Sequence, residues 1–297
     1  MIMKLQEHLT NIDEDLAKLI MLIGEQGKKI KSAFIGRQSY ADSKNIYGEQ
    51  QVALDKWADE LLIAELKRSG LVKAIASEEQ PDVVTVPDST GKFSITLDPL
   101  DGSSLIGVNL AVGTIVGIFE SDSPLQKGAE MVGAMYILYG PLTVLTYTAH
   151  NGVHEFVLND QDEYVIQQEN IRIPEGKIYA PGALRKDYLP EHKQYIEKLE
   201  ADGYKLRYSG SFVADVHQIL HKGGVFTYPG FKGREQGKLR LLFECNPMGM
   251  IVTEAGGACS TGKQNNLDIQ PTGVDNRIPI YVGGKGEIQL IEDYLKV

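Results

Sequence analysis

Apolar residues at Leu9, Ile12, Leu16, Leu19, Ile20 and Ile23 recur at three- and four-residue intervals. That is the spacing of one helix face, and it predicts a helix over 9–30. Asp13, Glu14 and Asp15 fall in its early turns, where the helix dipole favours acids. Gly24 and Gly27 mark where it should weaken or stop. Residues 36–47 are small, polar and without period, and predict a loop. A second helix is expected from Gly48 to about Ser69, on the spacing of Val52, Trp57, Leu61, Leu62 and Leu66. Its acids Glu49, Asp55 and Asp59 are expected elsewhere on its surface, and Gly70 is its natural stop.

From there the period shortens. Leu71–Ser77 reads as a strand that ends in Glu78-Glu79, and Phe93–Asp98 as another that ends in acids. Leu110–Phe119, residues 130–140 with a bulge at Gly133, Leu142–Thr148, Val153–Leu158 and Tyr164–Gln168 follow as strands. Residues 1–172 thus predict helices packed on a largely antiparallel sheet. Ile173-Pro174-Glu175-Gly176 breaks the pattern. Beyond it strands at Lys177–Tyr179, Tyr204–Tyr208, Gly224–Tyr228 and Ile278–Val282 alternate with helices. The helices are expected at 187–200, Ser211–His221, 238–255 (offset at Pro247) and Glu287–Lys296. This predicts a mixed-sheet α/β sub-domain over 173–297.

Composition narrows the class. A chain of 297 residues, 42% apolar, has room for two sub-domains with sizeable cores. Thirty basic residues against 40 acidic ones leave a formal charge of −10. That argues against nucleic acid as the main partner, because a phosphate backbone demands a basic face. No apolar run approaches the ~18 residues of a membrane span, and the N-terminus has neither a signal-peptide core nor an Arg-rich transit character. A soluble cytoplasmic protein is expected. Cys245 and Cys259 offer no disulfide framework and read as buried free thiols. His217 and His221 stand four apart on a predicted helix with no acid between them, and surface or core roles are expected. Neither a phosphate-binding P-loop nor a nucleophile elbow is present.

The stretch Asp98-Pro99-Leu100-Asp101-Gly102-Ser103-Ser104 carries the most chemistry. Pro99 fixes φ and removes a donor, which predicts a turn that brings Asp101 to the side of Asp98. Two crowded carboxylates raise each other's pKa, and a hard divalent cation such as Mg²⁺ relieves the repulsion. Gly102, Ser103 and Ser104 then offer backbone N–H groups and hydroxyls to an anion. By itself the motif is equally a turn with two solvated aspartates. Glu78 and Glu79, ending a neighbouring strand, can aim at the same point. Arg240 and Glu244 stand at i,i+4, which reads either as a surface ion pair worth little or as a phosphate grip, shared with Lys238, beside a metal ligand.

Taken together, these segments resemble the class I fructose-1,6-bisphosphatases and the related sedoheptulose-1,7-bisphosphatases over nearly the whole chain. The motifs are Gly48-Glu-Gln-Gln with Leu54-Asp55, Ser77-Glu-Glu79, Asp98 to Ser104, Val213-Ala-Asp-Val-His217, Lys238-Leu-Arg-Leu-Leu242, Glu244-Cys-Asn-Pro-Met248 and Ala255-Gly-Gly257. The resemblance implies a layered αβαβα fold and an enzyme that removes the C1 phosphate of a ketose bisphosphate. It implies metal ligands at Glu78, Asp98, Asp101, Glu244 and the Leu100 carbonyl, with Glu49 where the family usually has Asp. It implies two or more Mg²⁺ per site, with Mn²⁺ or Zn²⁺ also compatible. Glu79 and Asp55 match the acids that activate water. Gly102, Ser103 and Ser104 match the scissile-phosphate cradle, and Tyr208, Tyr228, Lys238 and Arg240 the sugar and distal-phosphate contacts. Arg207 matches a residue that reaches into a neighbouring subunit's site, which implies a dimer or tetramer.

Two departures stand out. Tyr179-Ala-Pro-Gly-Ala-Leu-Arg185 is closer to the sedoheptulose-type segment than to the fructose-type one, and suggests Arg185 as a distal-phosphate donor. Lys92-Phe93 and Glu120 stand where AMP-inhibited members carry Lys-Tyr and a later Arg, so AMP inhibition is not expected. An inositol monophosphatase-like enzyme and a non-catalytic sugar-phosphate sensor are the alternatives.

Overall fold

The computed structural model describes residues 2–35, 40–44 and 50–296. The elements in chain order are α1 (Leu5–His8), α2 (Glu14–Ala33), β1 (Tyr40–Lys44), β2 (Gln50–Val52), α3 (Ala53–Arg68), β3 (Val72–Ser77), β4 (Val84–Thr85), β5 (Phe93–Asp101), β6 (Val112–Phe119), β7 (Met131–Tyr139), β8 (Thr143–Thr148), β9 (Val153–Leu158) and β10 (Tyr164–Gln168). Then come β11 (Ile178–Pro181), α4 (Pro190–Ala201), β12 (Lys205–Leu206), α5 (Phe212–Lys222), β13 (Val225–Tyr228), α6 (Asn246–Glu254), β14 (Ala258–Ser260), β15 (Ile280–Gly283) and α7 (Lys285–Leu295).

One eight-stranded sheet has the order β10-β9-β8-β7-β6-β5-β3-β4 and a second, five-stranded, the order β12-β11-β13-β15-β14. The first is an antiparallel meander from β5 to β10, with β3 parallel to β5. The second is mixed: β11 runs parallel to β12 and β13, while β15 is antiparallel to β13 and β14. Alternation along the strands puts apolar side chains on both faces of each sheet. Leu19, Ile23, Leu62 and Leu66 cover one face of the large sheet. Val216, Ile219, Met248 and Ile251 of α5 and α6 fill the space between the two sheets. Tyr195 and Ile291 of α4 and α7 close the outer face of the small one. The layers therefore run αβαβα.

Local departures from the expectations have physical causes. Helix α2 begins after Asp13, whose carboxylate accepts the N–H groups of Asp15 and Leu16 as an N-cap. It runs past Gly24 and Gly27 to Ala33; these glycines bring the helix close to the sheet, since a Cβ on Gly27 would lie 2.4 Å from Ile137 Cδ1. Residues 40–44, expected as loop, form a strand paired with Gln50–Val52. The α3 helix accordingly starts at Ala53 rather than Gly48, and Gly48 and Glu49 lie outside the described residues. Asp55 and Asp59 are buried, not on the surface. The strand expected at Tyr204–Tyr208 is only two residues long. The chain over Lys238–Arg240 is not helical; a π-helical turn at Leu241–Cys245 leads into α6, with Pro247 in its first turn.

Candidate active site

Strand β5 is buried along its whole length and does not turn at Pro99. Asp98 pairs with Ile115 and Asp101 with Gly113, so three steps on β5 face two on β6. In a regular strand residues three apart point to opposite faces. The extra bulged residue puts Asp98 and Asp101 on one side, which is the outcome expected of Pro99, reached by a bulge rather than a turn. The Thr114 hydroxyl donates to the Pro99 carbonyl at 2.9 Å and holds the bulge. Gly102 follows at φ 77°, and a Cβ there would lie 2.8 Å from Ser211 Cβ. A short 3₁₀ turn, Ser103–Val108, begins at once.

Neighbouring elements deliver the other acids. The Glu78 N–H donates to the Leu97 carbonyl at 2.9 Å, which carries the end of β3 alongside the end of β5. Asp55 and Asp59 share a face of α3. Asp55 Oδ2 accepts from the Ser103 hydroxyl at 2.9 Å, while Asp59 is held by Ser77 and Gln80. Glu244, in the π-helical turn, accepts the backbone N–H of Arg240 at 2.7 Å. The i,i+4 pair is therefore not a surface ion pair: both residues are buried. The Arg240 guanidinium instead bonds Glu78 and lies 3.3 Å from Asp275 Oδ1, which puts it at the acidic end of the site.

Asp98, Asp101 and Glu244 each offer an oxygen within 4.8 Å of the others. Burial, reinforced by Glu78, Asp101 and Glu244, pushes Asp98 well above the usual carboxylate range. Burial takes Asp101 up to about 7, against bonds from Val213 and Ser211. Burial and the Glu78 charge take Glu244 up to about 8, against the pull of Arg240. Asp55 is raised by burial and by Glu79 and Glu78. Such a set of buried oxygens, strained by its own charge, fits a hard divalent cation.

The cavity over this cluster has a volume of about 460 Å³ and is lined by Asp55, Glu78, Glu79, Asp98, Leu100, Asp101, Gly102, Ser103, Ser104, Tyr208, Tyr228, Lys238, Arg240 and Glu244. These are the expected residues with three exceptions. Glu49 is outside the described residues. Arg207 is exposed and donates to Gln218 at 3.1 Å. Arg185 is turned away: its guanidinium donates to Glu200 at 2.7 Å, and the carboxylate also holds the Tyr179 hydroxyl. The α4 acid thus claims the cation that the sequence suggested for a phosphate.

Sequence reasoning missed the supports. The Ser211 hydroxyl and the Val213 N–H donate to Asp101 Oδ2 at 2.9 and 2.8 Å. Asp215 accepts the Ser209 N–H and steadies the loop before α5. Asp275 faces Arg240, and Phe212, Phe226 and Leu239 form apolar walls. The Ser-x-x helix start at Ser211 was a visible cue to a cap, but not to which carboxylate that helix would receive.

The layered fold carries a buried acid cluster in this cavity, and the chain's relatives make it a phosphoric monoester hydrolase. Residues 1–169 match the family described as fructose-1-6-bisphosphatase, N-terminal domain, and residues 173–296 match its C-terminal domain. The chain belongs to the class 1 fructose-1,6-bisphosphatase family. It is 52% identical over 290 residues to the class 1 fructose-1,6-bisphosphatase of Methanocorpusculum labreanum, covering 97% of this chain and 90% of that protein. It is 46% identical over 297 residues to that of Geobacter sulfurreducens, covering 98% and 95%. The crystal structure of Leishmania major fructose-1,6-bisphosphatase in holo form superposes with a TM-score of 0.95 at 30% identity, covering all of both chains. The same enzyme in its T-state gives 0.90.

Proposed function

We propose that this pocket hydrolyses the C1 phosphate of fructose 1,6-bisphosphate, giving fructose 6-phosphate and inorganic phosphate. The observation that carries the reading is a single cavity with three converging buried carboxylates, Asp98, Asp101 and Glu244, which shares its walls with Lys238, Tyr208 and Tyr228. Such a site suits a substrate with two anionic ends. Mg²⁺, two or more per site, is the proposed cation, with Mn²⁺ or Zn²⁺ compatible. Bound there, it would offset the phosphate charge as the ester bond breaks.

The chain's own groups do the rest. Glu79, seconded by Asp55, takes the proton of the attacking water. The water oxygen bonds to phosphorus as the bond to the C1 oxygen breaks, and that oxygen leaves as an alkoxide that takes a proton from solvent to become the C1 hydroxyl. Gly102, Ser103 and Ser104 receive the phosphate oxygens as charge shifts onto them. Arg240, beside Glu78, serves this end. Lys238, Tyr208 and Tyr228 fix the distal phosphate and sugar, so that remote binding becomes alignment. The Leu100 carbonyl and Glu49 remain proposed ligands. We place the sub-domain boundary at 172/173, where the large sheet is complete and the small one begins. A dimer or tetramer is proposed, with Arg207 reaching across from its exposed position. A soluble cytoplasmic enzyme is consistent with the described residues, among which no helix is long and apolar enough to cross a membrane.

The deciding test is phosphate release with Mg²⁺ on three substrates. Fructose 1,6-bisphosphate should give the highest kcat/KM. Sedoheptulose 1,7-bisphosphate is the second substrate to compare, because Tyr179–Arg185 departs from the fructose type. A rate on inositol 1-phosphate equal to that on the bisphosphates would overturn the two-ended reading. No release on any of them would overturn the enzyme.

A further inference from the structure

A second group of ligand-type side chains lies outside this pocket, on the face of the large sheet that α5 covers. Tyr136 pairs across the strands with Thr146, and Thr146 with Glu155. The three side chains therefore stand in a row on one face of β7, β8 and β9. Over the row, α5 presents His217 and His221, one turn apart on the same side. Glu155 Oε2 is 2.7 Å from His221 Nε2 and 3.8 Å from His217 Nδ1. Glu155 is buried, while the two imidazoles keep 21% and 23% of their side-chain surface open. The acid that the sequence lacked between the two histidines comes from strand β9.

We propose that Glu155, His217 and His221 form a second cation site that takes a borderline divalent ion of the Zn²⁺ type. Tetrahedral Zn²⁺ with bonds of about 2.0–2.2 Å sets its ligands about 3.3 Å apart. The two distances from Glu155 straddle that value, and one ligand atom from each residue lies within 4.8 Å of the others. The Tyr136 hydroxyl, 2.7 Å from His217 Nδ1, would give up that bond when the nitrogen turns to the ion, and is then placed to bond a water completing the shell. Two nitrogens and one oxygen select against Mg²⁺, which the oxygen-only cluster of the first pocket favours.

A further group among the described residues, His8 with His154 and Glu169, meets the same distance limit, but its imidazoles are more heavily engaged. Both ring nitrogens of His154 are taken, by the Asn151 carbonyl and the Asn170 N–H.

The helix gives the site its reach. The same α5 that would be clamped at His217 and His221 caps Asp101 at its other end, through Ser211 and Val213. The ion would pin the helix to the sheet.

The test is a Zn²⁺ titration of chelator-treated protein, with saturating Mg²⁺ holding the oxygen-only pocket. Wild type should bind one Zn²⁺ per chain, with an X-ray absorption spectrum showing two imidazoles. His217→Gln and His221→Gln should each weaken that binding by more than about tenfold, since losing a ligand costs at least what losing an outer-shell partner does. Both variants should keep the wild-type rate of phosphate release in Mg²⁺ alone, which reports that they fold. Unchanged affinity in both variants, or a spectrum of oxygen ligands only, overturns the site.

Discussion

The carboxylate of Asp101 receives the backbone N–H of Val213 at 2.8 Å, across 112 residues of chain. That bond, with the Ser211 hydroxyl, joins the bulged end of β5 to the first turn of α5. Replacing Ser211 by Ala removes one donor to Asp101 and the cap that accepts the Ala214 N–H. A loss of about 1–2 kcal/mol is expected, with a higher Mg²⁺ requirement for phosphate release. A melting curve and a Mg²⁺ titration of rate check the two effects; an unchanged Mg²⁺ midpoint would separate the cap from the metal site.

The acid cluster predicts an unusual pH dependence of stability. Asp101 and Glu244 are raised to about 7 and about 8, chiefly by burial. The folded state therefore holds protons that the unfolded chain has already released above the ordinary carboxylate range. Their contribution is full at low pH and is lost as pH rises through 7 and 8. With chelator present, the melting temperature should fall between pH 5 and 9, and Mg²⁺ should reverse most of that fall. A flat or rising profile in chelator would mean that these carboxylates titrate normally.

Glu79→Gln keeps the size of the side chain and removes the proposed proton acceptor. We expect kcat to drop by about 10²–10⁴ with KM little changed. Turnover near wild type would move the role of base elsewhere, with Asp55 the first to be tested.

Gly182 bears indirectly on the proposed sugar end. A Cβ there would lie 2.2 Å from Tyr228 Cδ2, and the Gly182 N–H is committed to the Thr227 carbonyl. Gly182→Ala should push the Tyr228 ring and raise KM more than it lowers kcat. Arg185→Ala should leave KM unchanged, because Arg185 is bound to Glu200. Steady-state kinetics on both variants decide between the two residues.

Lys92 donates to Asp13 at 2.8 Å and feels Glu120 as well. A nucleotide phosphate arriving here meets acids. Activity should persist in micromolar to millimolar AMP, and a micromolar inhibition constant would refute this reading.

Much of this was legible in the chain, and the part that was not has a common cause. The strands from Phe93 to Gln168 were visible because their apolar residues alternate or run unbroken between turn residues. Asp98, Asp101 and Glu78 were visible as acids at strand ends, and Glu244 by its i,i+4 spacing from Arg240 and by the family resemblance. The role of Gly27 was hidden because a glycine looks the same whether it ends a helix or lets one approach a sheet. The destination of Arg185 was hidden because Glu200, which holds it, lies on another element. The grouping of Glu155 with His217 and His221 was hidden for the same reason: sequence spacing displays neighbours along one element and is silent about those across a layer.

The closure of the acid cluster also fixes when hydrolytic competence can arise during synthesis. A nascent chain whose large sheet is complete already displays Asp98 and Asp101 on β5. It lacks the α5 donors that hold Asp101 and the Glu244 that completes the trio. Lys238 and Tyr228 come from the same late stretch. On the proposed assignment, phosphate release on the ribosome therefore has to wait until the final third of the chain has emerged, because Glu244, Lys238 and Tyr228 all lie in it.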